Sequence, residues 1–97
     1  MRLKQSEIDI IKKAAKDCFG DNSSVYLFGS RTNDLRKGGD IDLYIETESK
    51  SDLFEKKISF LIALKRELGE RKIDVVINNF TYEKVIFDVA KNEGILI

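Results

Sequence analysis

Apolar residues recur along the chain with two different periods, which predict three helices and three strands. A spacing of three or four predicts helices over residues 6–19 and 51–68, and a third that begins at Thr81 and ends at Gly94. Short apolar runs predict strands over residues 24–28, 40–46 and 72–77. The predicted order is α-β-β-α-β-α. It indicates an α/β fold, a small two-layer mixed β-sheet with helices on one face.

Each predicted helix has one apolar stripe that is expected to be buried. The stripes comprise Ile8, Ile11, Ala15 and Cys18 in the first helix, Phe54, Ile58, Leu61, Leu64 and Leu68 in the second, and Tyr82, Val85, Ile86, Val89 and Ala90 in the third. The position of Cys18 in a stripe favours a small core residue over a reactive thiol. Ser6 and Asp9 have the spacing of a capping pair. The final residues, 95–97, are predicted to be a short apolar tail.

The second and third predicted strands carry aspartates on the face opposite their aliphatic residues. In the second strand the odd positions are aliphatic, whereas Asp40 and Asp42 occupy even positions. In the third strand Asp74 is likewise opposite the aliphatic residues. If the two strands are neighbours, all three carboxylates project from the same side of the sheet. The alternative is that these aspartates face solvent on a one-sided sheet.

Three clustered carboxylates would require a cation. Two like charges about 4 Å apart repel by roughly 4 kcal/mol at an effective dielectric of about 20. Hard oxygen ligands favour Mg²⁺, with Mn²⁺ as the substitute, and substrate phosphates and water usually complete the magnesium octahedron.

A Gly-Ser turn follows the first predicted strand. Gly29 lacks a Cβ and so permits a close approach of a ligand to the backbone, and Ser30 offers a hydroxyl and an amide to a terminal phosphate. Arg31 is either a phosphate partner or a surface charge. Gly-Ser in isolation is an ordinary turn, so this prediction depends on its combination with the aspartates.

Composition narrows the classes of function. The chain has 97 residues and no His, which excludes Ser-His and Cys-His nucleophiles and His-ligated zinc, and its single Cys cannot form an internal disulfide. Lys+Arg and Asp+Glu are both 17, so direct binding to nucleic acid is not expected. No apolar run is long enough for a membrane span, and the N-terminus lacks a secretory signal pattern. A single domain over residues 1–97 in the cytoplasm is expected.

The combined motif resembles the nucleotidyltransferase superfamily that includes DNA polymerase beta. Its parts are Gly29-Ser30, nine intervening residues, Asp40-Ile41-Asp42 and a later strand aspartate. The surrounding FGSR and GGDIDLYIE, with the short chain, resemble the minimal nucleotidyltransferase branch, many of whose members are antitoxins of HEPN-domain toxins. The resemblance covers roughly residues 24–94. Gly39 departs from it, since the family often has Ser there.

The resemblance implies a polymerase beta palm-like fold and a role for each motif residue. Asp40 and Asp42 would hold two magnesium ions, and Asp74 would share the ion beside the attacking hydroxyl. Gly29 and Ser30 would contact the β- and γ-phosphates of a nucleoside triphosphate, with Arg31 as a further phosphate contact.

The resemblance also implies an enzyme, a protein adenylyltransferase-like nucleotidyltransferase. It would transfer AMP from ATP to a tyrosine of a HEPN-domain toxin and thereby act as an antitoxin. Since no further domain is evident for the acceptor, the partner is expected to complete the site in a hetero-oligomer. One alternative is a non-catalytic antitoxin that neutralises its partner by occlusion, and another is a structural α/β domain with accidental motifs.

Overall fold

The computed structural model describes residues 4–28, 41–69, 72–80 and 84–97. Within them the chain forms α1 (Gln5–Phe19), β1 (Ser24–Phe28), β2 (Ile41–Glu46), α2 (Leu53–Leu68), β3 (Ile73–Asn78), α3 (Val85–Glu93) and β4 (Ile95–Leu96). The three predicted helices and three predicted strands are all present. The predicted apolar tail contributes a further short strand, β4.

The strands form one mixed sheet in the order β3-β2-β1-β4. β1 pairs with β2 and with β4 in antiparallel orientation, whereas β2 pairs with β3 in parallel. Parallel neighbours need a crossover connection, and α2 is the helix between β2 and β3. The α/β fold class with a mixed sheet is therefore confirmed.

The larger hydrophobic core lies between one face of the sheet and helices α1 and α2. Ile41, Leu43 and Ile45 of β2 are fully buried there, as their alternation predicts. Phe19 of α1 and Phe60 of α2 meet edge to face, with ring centroids 5.5 Å apart. Such aromatic contacts add to the free energy of burial.

A smaller core covers the opposite face, so the expectation of helices on one face is corrected for α3. Tyr44 of β2 packs there against Phe87 and Ala90 of α3, with Tyr26 and Phe28 of β1 beside them. The physical reason is that the inner strands carry aromatic residues on this face too, and α3 shields them from water.

The buried stripes of α2 and α3 agree with the prediction only in part: Leu64 and Ala90 are buried as predicted, and Leu61 and Leu68 pack against the larger core. Phe54 and Ile58 of α2 are exposed, and Phe60 and Leu64 are its buried residues. In α3, Val85, Ile86 and Val89 are exposed, and Phe87 and Ala90 are buried; Thr81 and Tyr82 lie outside the described residues. Both helices are apolar on more than one side, so spacing alone does not decide which side is buried.

The ends of α1 follow the prediction only in part. The helix begins one residue earlier than predicted, and Glu7, rather than Asp9, caps it by accepting a 2.8 Å hydrogen bond from the Lys4 backbone N–H.

Cys18 packs against the larger core. Burial raises the pKa of its thiol, and the charge of Asp17 acts in the same direction. This environment agrees with a packing role.

Among the described residues, none of the helices combines the length and the apolar character needed to cross a membrane.

Gly94 sits where α3 ends and β4 begins, and the space around it admits no side chain. A Cβ built there would lie 2.4 Å from the Ala90 carbonyl oxygen and 3.1 Å from the Tyr26 Cβ. We expect Gly94→Ala to lower the free energy of unfolding by about 1–3 kcal/mol, because the backbone must shift to relieve the overlap. Urea unfolding, monitored by circular dichroism, measures the change in the free energy of unfolding. The control is Asn92→Ala, which changes an exposed residue. Equal stability of Gly94→Ala and wild type would contradict this packing.

Candidate active site

The parallel pairing of β2 with β3 brings two of the predicted site aspartates together. Asp42 and Asp74 are direct partners in its register. Opposed residues of neighbouring strands project from the same face, and the strands are roughly 4.8 Å apart. The two strands are thus neighbours, as the sequence-based hypothesis requires. The roles of the two carboxylates stay a prediction.

Asp42 and Asp74 differ in exposure because β2 is an inner strand and β3 is not. Asp42 is half-buried between Phe28 of β1 and Asp74 of β3, its partners on the two sides. Asp74 is exposed on β3, which pairs only with β2 among the described strands. Asp74 is therefore the more accessible of the two carboxylates.

The other predicted site residues lie between Phe28 and Ile41, and both of these flanking residues are next to Asp42 in the sheet. Gly29, Ser30, Arg31 and Asp40 lie outside the described residues. Phe28, which precedes the segment, pairs with Asp42. Ile41, which follows it, pairs with Ile73 and donates a 2.9 Å backbone hydrogen bond to the Lys72 carbonyl. The chain thus leaves and re-enters the sheet at the Asp42–Asp74 end.

The described donors fit a hard divalent cation. Asp42 and Asp74 supply carboxylate oxygens from adjacent strands, the ligand type that Mg²⁺ and Mn²⁺ prefer. No group of three or more His, Cys, Asp or Glu residues suited to a metal occurs within the described part of the chain. Asp40, the third predicted ligand, is outside that part. Magnesium is commonly held by one or two carboxylates together with substrate phosphates and water.

A polar network occupies the other end of the same sheet face, and the sequence pattern does not predict its hydrogen bonds. The buried Tyr44 hydroxyl donates a 2.9 Å hydrogen bond to Glu46 Oε2 and accepts a 3.0 Å hydrogen bond from Asn78 Nδ2. Lys91 of α3 pairs with the same Glu46 oxygen at 3.2 Å. The available signal was the period of β2, which places Tyr44 and Glu46 on one face with Asp42.

The network favours a neutral tyrosine beside a charged pair. Burial is the main cause that raises the pKa of Tyr44 to about 12, and Glu46 adds to the shift, while the hydrogen bond from Asn78 opposes it. The hydrogen bond and charge of Glu46 raise the pKa of the Lys91 ammonium. A buried neutral hydroxyl with both partners satisfied fits a structural role under α3.

The chain matches a known protein family over nearly its whole length. The sequence profile described as nucleotidyltransferase domain matches residues 4–97, which includes every predicted site residue. No curated protein is similar enough to the chain to count as a match.

A divalent cation is expected to stabilise the folded protein through Asp74. We expect Mn²⁺ to raise the melting temperature of the wild type, since a ligand at 100 times its Kd contributes about 2.7 kcal/mol. Asp74→Asn should remove this effect and, without metal, melt at or above the wild type because a like charge beside Asp42 is lost. Calorimetry with and without Mn²⁺ measures both. The assignment would be contradicted if Mn²⁺ raised the melting temperature of Asp74→Asn as much as that of the wild type. It would also be contradicted if Mn²⁺ failed to raise the melting temperature of the exposed control, Asp88→Asn.

The Tyr44 network predicts a loss of stability at high pH. A tyrosine with a raised pKa in the folded state contributes stability in full below its ordinary pKa near 10, and loses it as pH rises towards about 12. The contribution is on the order of 2 kcal/mol. Tyr44→Phe should be less stable than wild type at pH 8, because Glu46 and Asn78 lose a partner.

Tyr44→Phe keeps the Lys91–Glu46 pair, so the difference between the two proteins isolates the tyrosine. The stability gap should narrow between pH 10 and 12, measured by urea unfolding. A constant gap over that range would show that the tyrosine does not titrate as inferred.

Proposed function

Since the chain belongs to the nucleotidyltransferase domain family, we propose that it transfers AMP from ATP to a hydroxyl group of a protein partner. The acceptor in this proposal is a tyrosine of a HEPN-domain toxin, so the chain acts as an antitoxin in the cytoplasm. The observation that carries the proposal is the register of Asp42 with Asp74, at the end of the sheet that also holds Phe28 and Ile41.

The proposed reaction is an in-line attack of the acceptor hydroxyl on the α-phosphorus of ATP. A new oxygen–phosphorus bond forms, the bond to the bridging oxygen breaks, pyrophosphate leaves, and the hydroxyl proton passes to water. Asp42 and Asp74, with Asp40, would hold Mg²⁺ at the reacting phosphate, and Gly29, Ser30 and Arg31 would contact the other phosphates. When bound, Mg²⁺ would supply charge neutralisation and a lowered pKa of the attacking hydroxyl.

The exposure of Asp74 fits its proposed place on the acceptor side. Asp42 is enclosed between two strands, whereas Asp74 lies on the strand that pairs only with β2 among those described. A hydroxyl carried by another protein reaches the site most directly from that side. The candidate site and a protein acceptor are therefore geometrically compatible.

Label transfer tests this proposal. The protein encoded by the neighbouring gene is incubated with the chain, Mg²⁺ and α-labelled ATP. We expect the wild type to label the partner. Asp42→Asn should lower the rate of label transfer at least 100-fold, because the variant removes a charge from the metal and phosphate site. Asp88→Asn, an exposed carboxylate on α3, should transfer label as the wild type does.

Two outcomes would contradict the proposal. Undiminished transfer by a correctly folded Asp42→Asn would exclude the assigned site. Tight binding of the partner without any transfer, unchanged by Asp42→Asn, would favour neutralisation by occlusion instead.

A further inference from the structure

The exposed apolar side chains are unevenly distributed over the described surface. Nine large hydrophobic side chains are exposed there, and seven of them lie on α2, on α3 or just beyond β3. The other two, Ile95 and Leu96, lie on β4 at the opposite edge of the sheet. Helices α2 and α3 therefore have most of the large apolar side chains that folding leaves in contact with water among the described residues.

Two helices contribute most of this surface. Phe54, Ile58 and Ile62 recur every four residues and so share one side of α2, and Phe54 is 74% exposed. Val85, Ile86 and Val89 are the exposed residues of α3, and Val85 is 80% exposed. Neither stripe belongs to the two hydrophobic cores.

A groove connects the two helices around the outer edge of β3. It has a volume of about 390 Å³ and is lined by residues 75–77 of β3, by Phe54 and Lys57 near the start of α2, and by Lys84 and Ile86 at the start of α3. We call this groove, with the exposed stripes of α2 and α3, the β3-edge surface. It combines apolar walls with two cationic side chains.

The size of the β3-edge surface is sufficient for protein docking. Scaled by ordinary side-chain areas, its six exposed hydrophobic residues present on the order of 600 Å². Each partner in a standard stable interface contributes roughly 800 Å². Of the six, Phe54 and Ile86 line the groove itself, and the other four lie on the same two helices. Clustered exposed apolar residues on a soluble protein usually mark an interaction site.

The charge of the groove favours a different protein over a second copy of this chain. In a two-fold dimer the same patch meets itself. A groove with the Lys57 charge would then face the same positive charge on the second copy, and the described residues that line the groove include no carboxylate. A partner with carboxylates around an apolar segment complements Lys57.

The groove also lies close to the candidate active site along β3. Val76 lines it and is two residues from Asp74 on the same face of β3, roughly 7 Å along the strand. Resting on the proposed function, we propose that the β3-edge surface docks the acceptor protein, through an apolar segment flanked by carboxylates, and so delivers its hydroxyl beside Asp74.

The affinity of the acceptor protein for surface variants tests this docking. The probe is the protein encoded by the neighbouring gene, titrated calorimetrically without ATP or Mg²⁺ so that binding is separated from chemistry. Phe54→Glu and Val85→Glu should each weaken binding at least 10-fold, because a charge replaces a highly exposed apolar contact. The matched control is Leu96→Glu, which changes a 60% exposed residue at the other sheet edge and should alter Kd less than twofold.

Lys57→Glu tests the charge of the partner. It should weaken binding several-fold and reduce the dependence of Kd on salt, because attraction between opposite charges is screened by ions. Circular dichroism melts of all variants establish that they remain folded.

Three results would overturn the docking proposal: no complex with the probe, unchanged affinity of Phe54→Glu and Val85→Glu, or a dimer of the chain alone that Phe54→Glu dissociates. The last result would identify a second copy as the occupant. Failure of the proposed function gives a different result. If the partner binds in a way that depends on Phe54 but is never labelled, the docking site is supported and the proposed reaction is excluded. Asp74→Asn should bind the probe as the wild type does and fail only in transfer.

Discussion

The parallel pairing of β2 with β3 is the constraint on which the rest of the structure depends. It places Asp42 and Asp74 side by side, although they are far apart in sequence and their charges repel. The pairing is held by features on both faces of the sheet. Ile41, Leu43 and Ile45 anchor β2 in the larger core, and Tyr44 anchors it beneath α3. A shift of register by one residue would move Asp42 to the buried face, so these contacts also fix the position of the carboxylates.

Period two in the strands predicts the face of each aspartate from the sequence, whereas the pairing of β2 with β3 was only a condition of that prediction. β1 was predicted with its observed bounds, and Asp42 and Asp74 were assigned to the same face because each opposes an aliphatic series. Such patterns are informative because a strand residue has only two faces to choose between. The sequence did not reveal the Tyr44–Glu46–Asn78 network, because a polar residue in a strand gives no sign of its partners before the strands are paired.

The buried faces of the helices are less predictable, because the partners that cover them are not evident from the sequence. α2 has apolar residues on two sides, and burial of Phe60 rather than Phe54 depends on the contact with Phe19 of α1. Likewise α3 packs Phe87 against the ring of Tyr44 and buries Ala90 beside it, whereas Val85, Ile86 and Val89 remain exposed. Each predicted stripe is therefore correct in part: Leu64 of α2 and Ala90 of α3 are buried as predicted, and Leu61 and Leu68 pack against the larger core. Some residues that spacing alone assigns to the core are therefore on the surface.

The exposure of these residues has a consequence for how the candidate site can work. The β3 side combines an exposed carboxylate, Asp74, with apolar residues that neither core requires. Burying Phe54 or Val85 in a monomer core would strengthen folding and leave the strand edge less apolar. Their exposure lowers the cost of bringing a second protein to that edge, because the surface that a partner covers is already unfavourable in water. A nucleotidyltransferase whose acceptor is a protein gains from such an edge, since binding energy gathered away from the reacting atoms is what orients a hydroxyl for in-line attack.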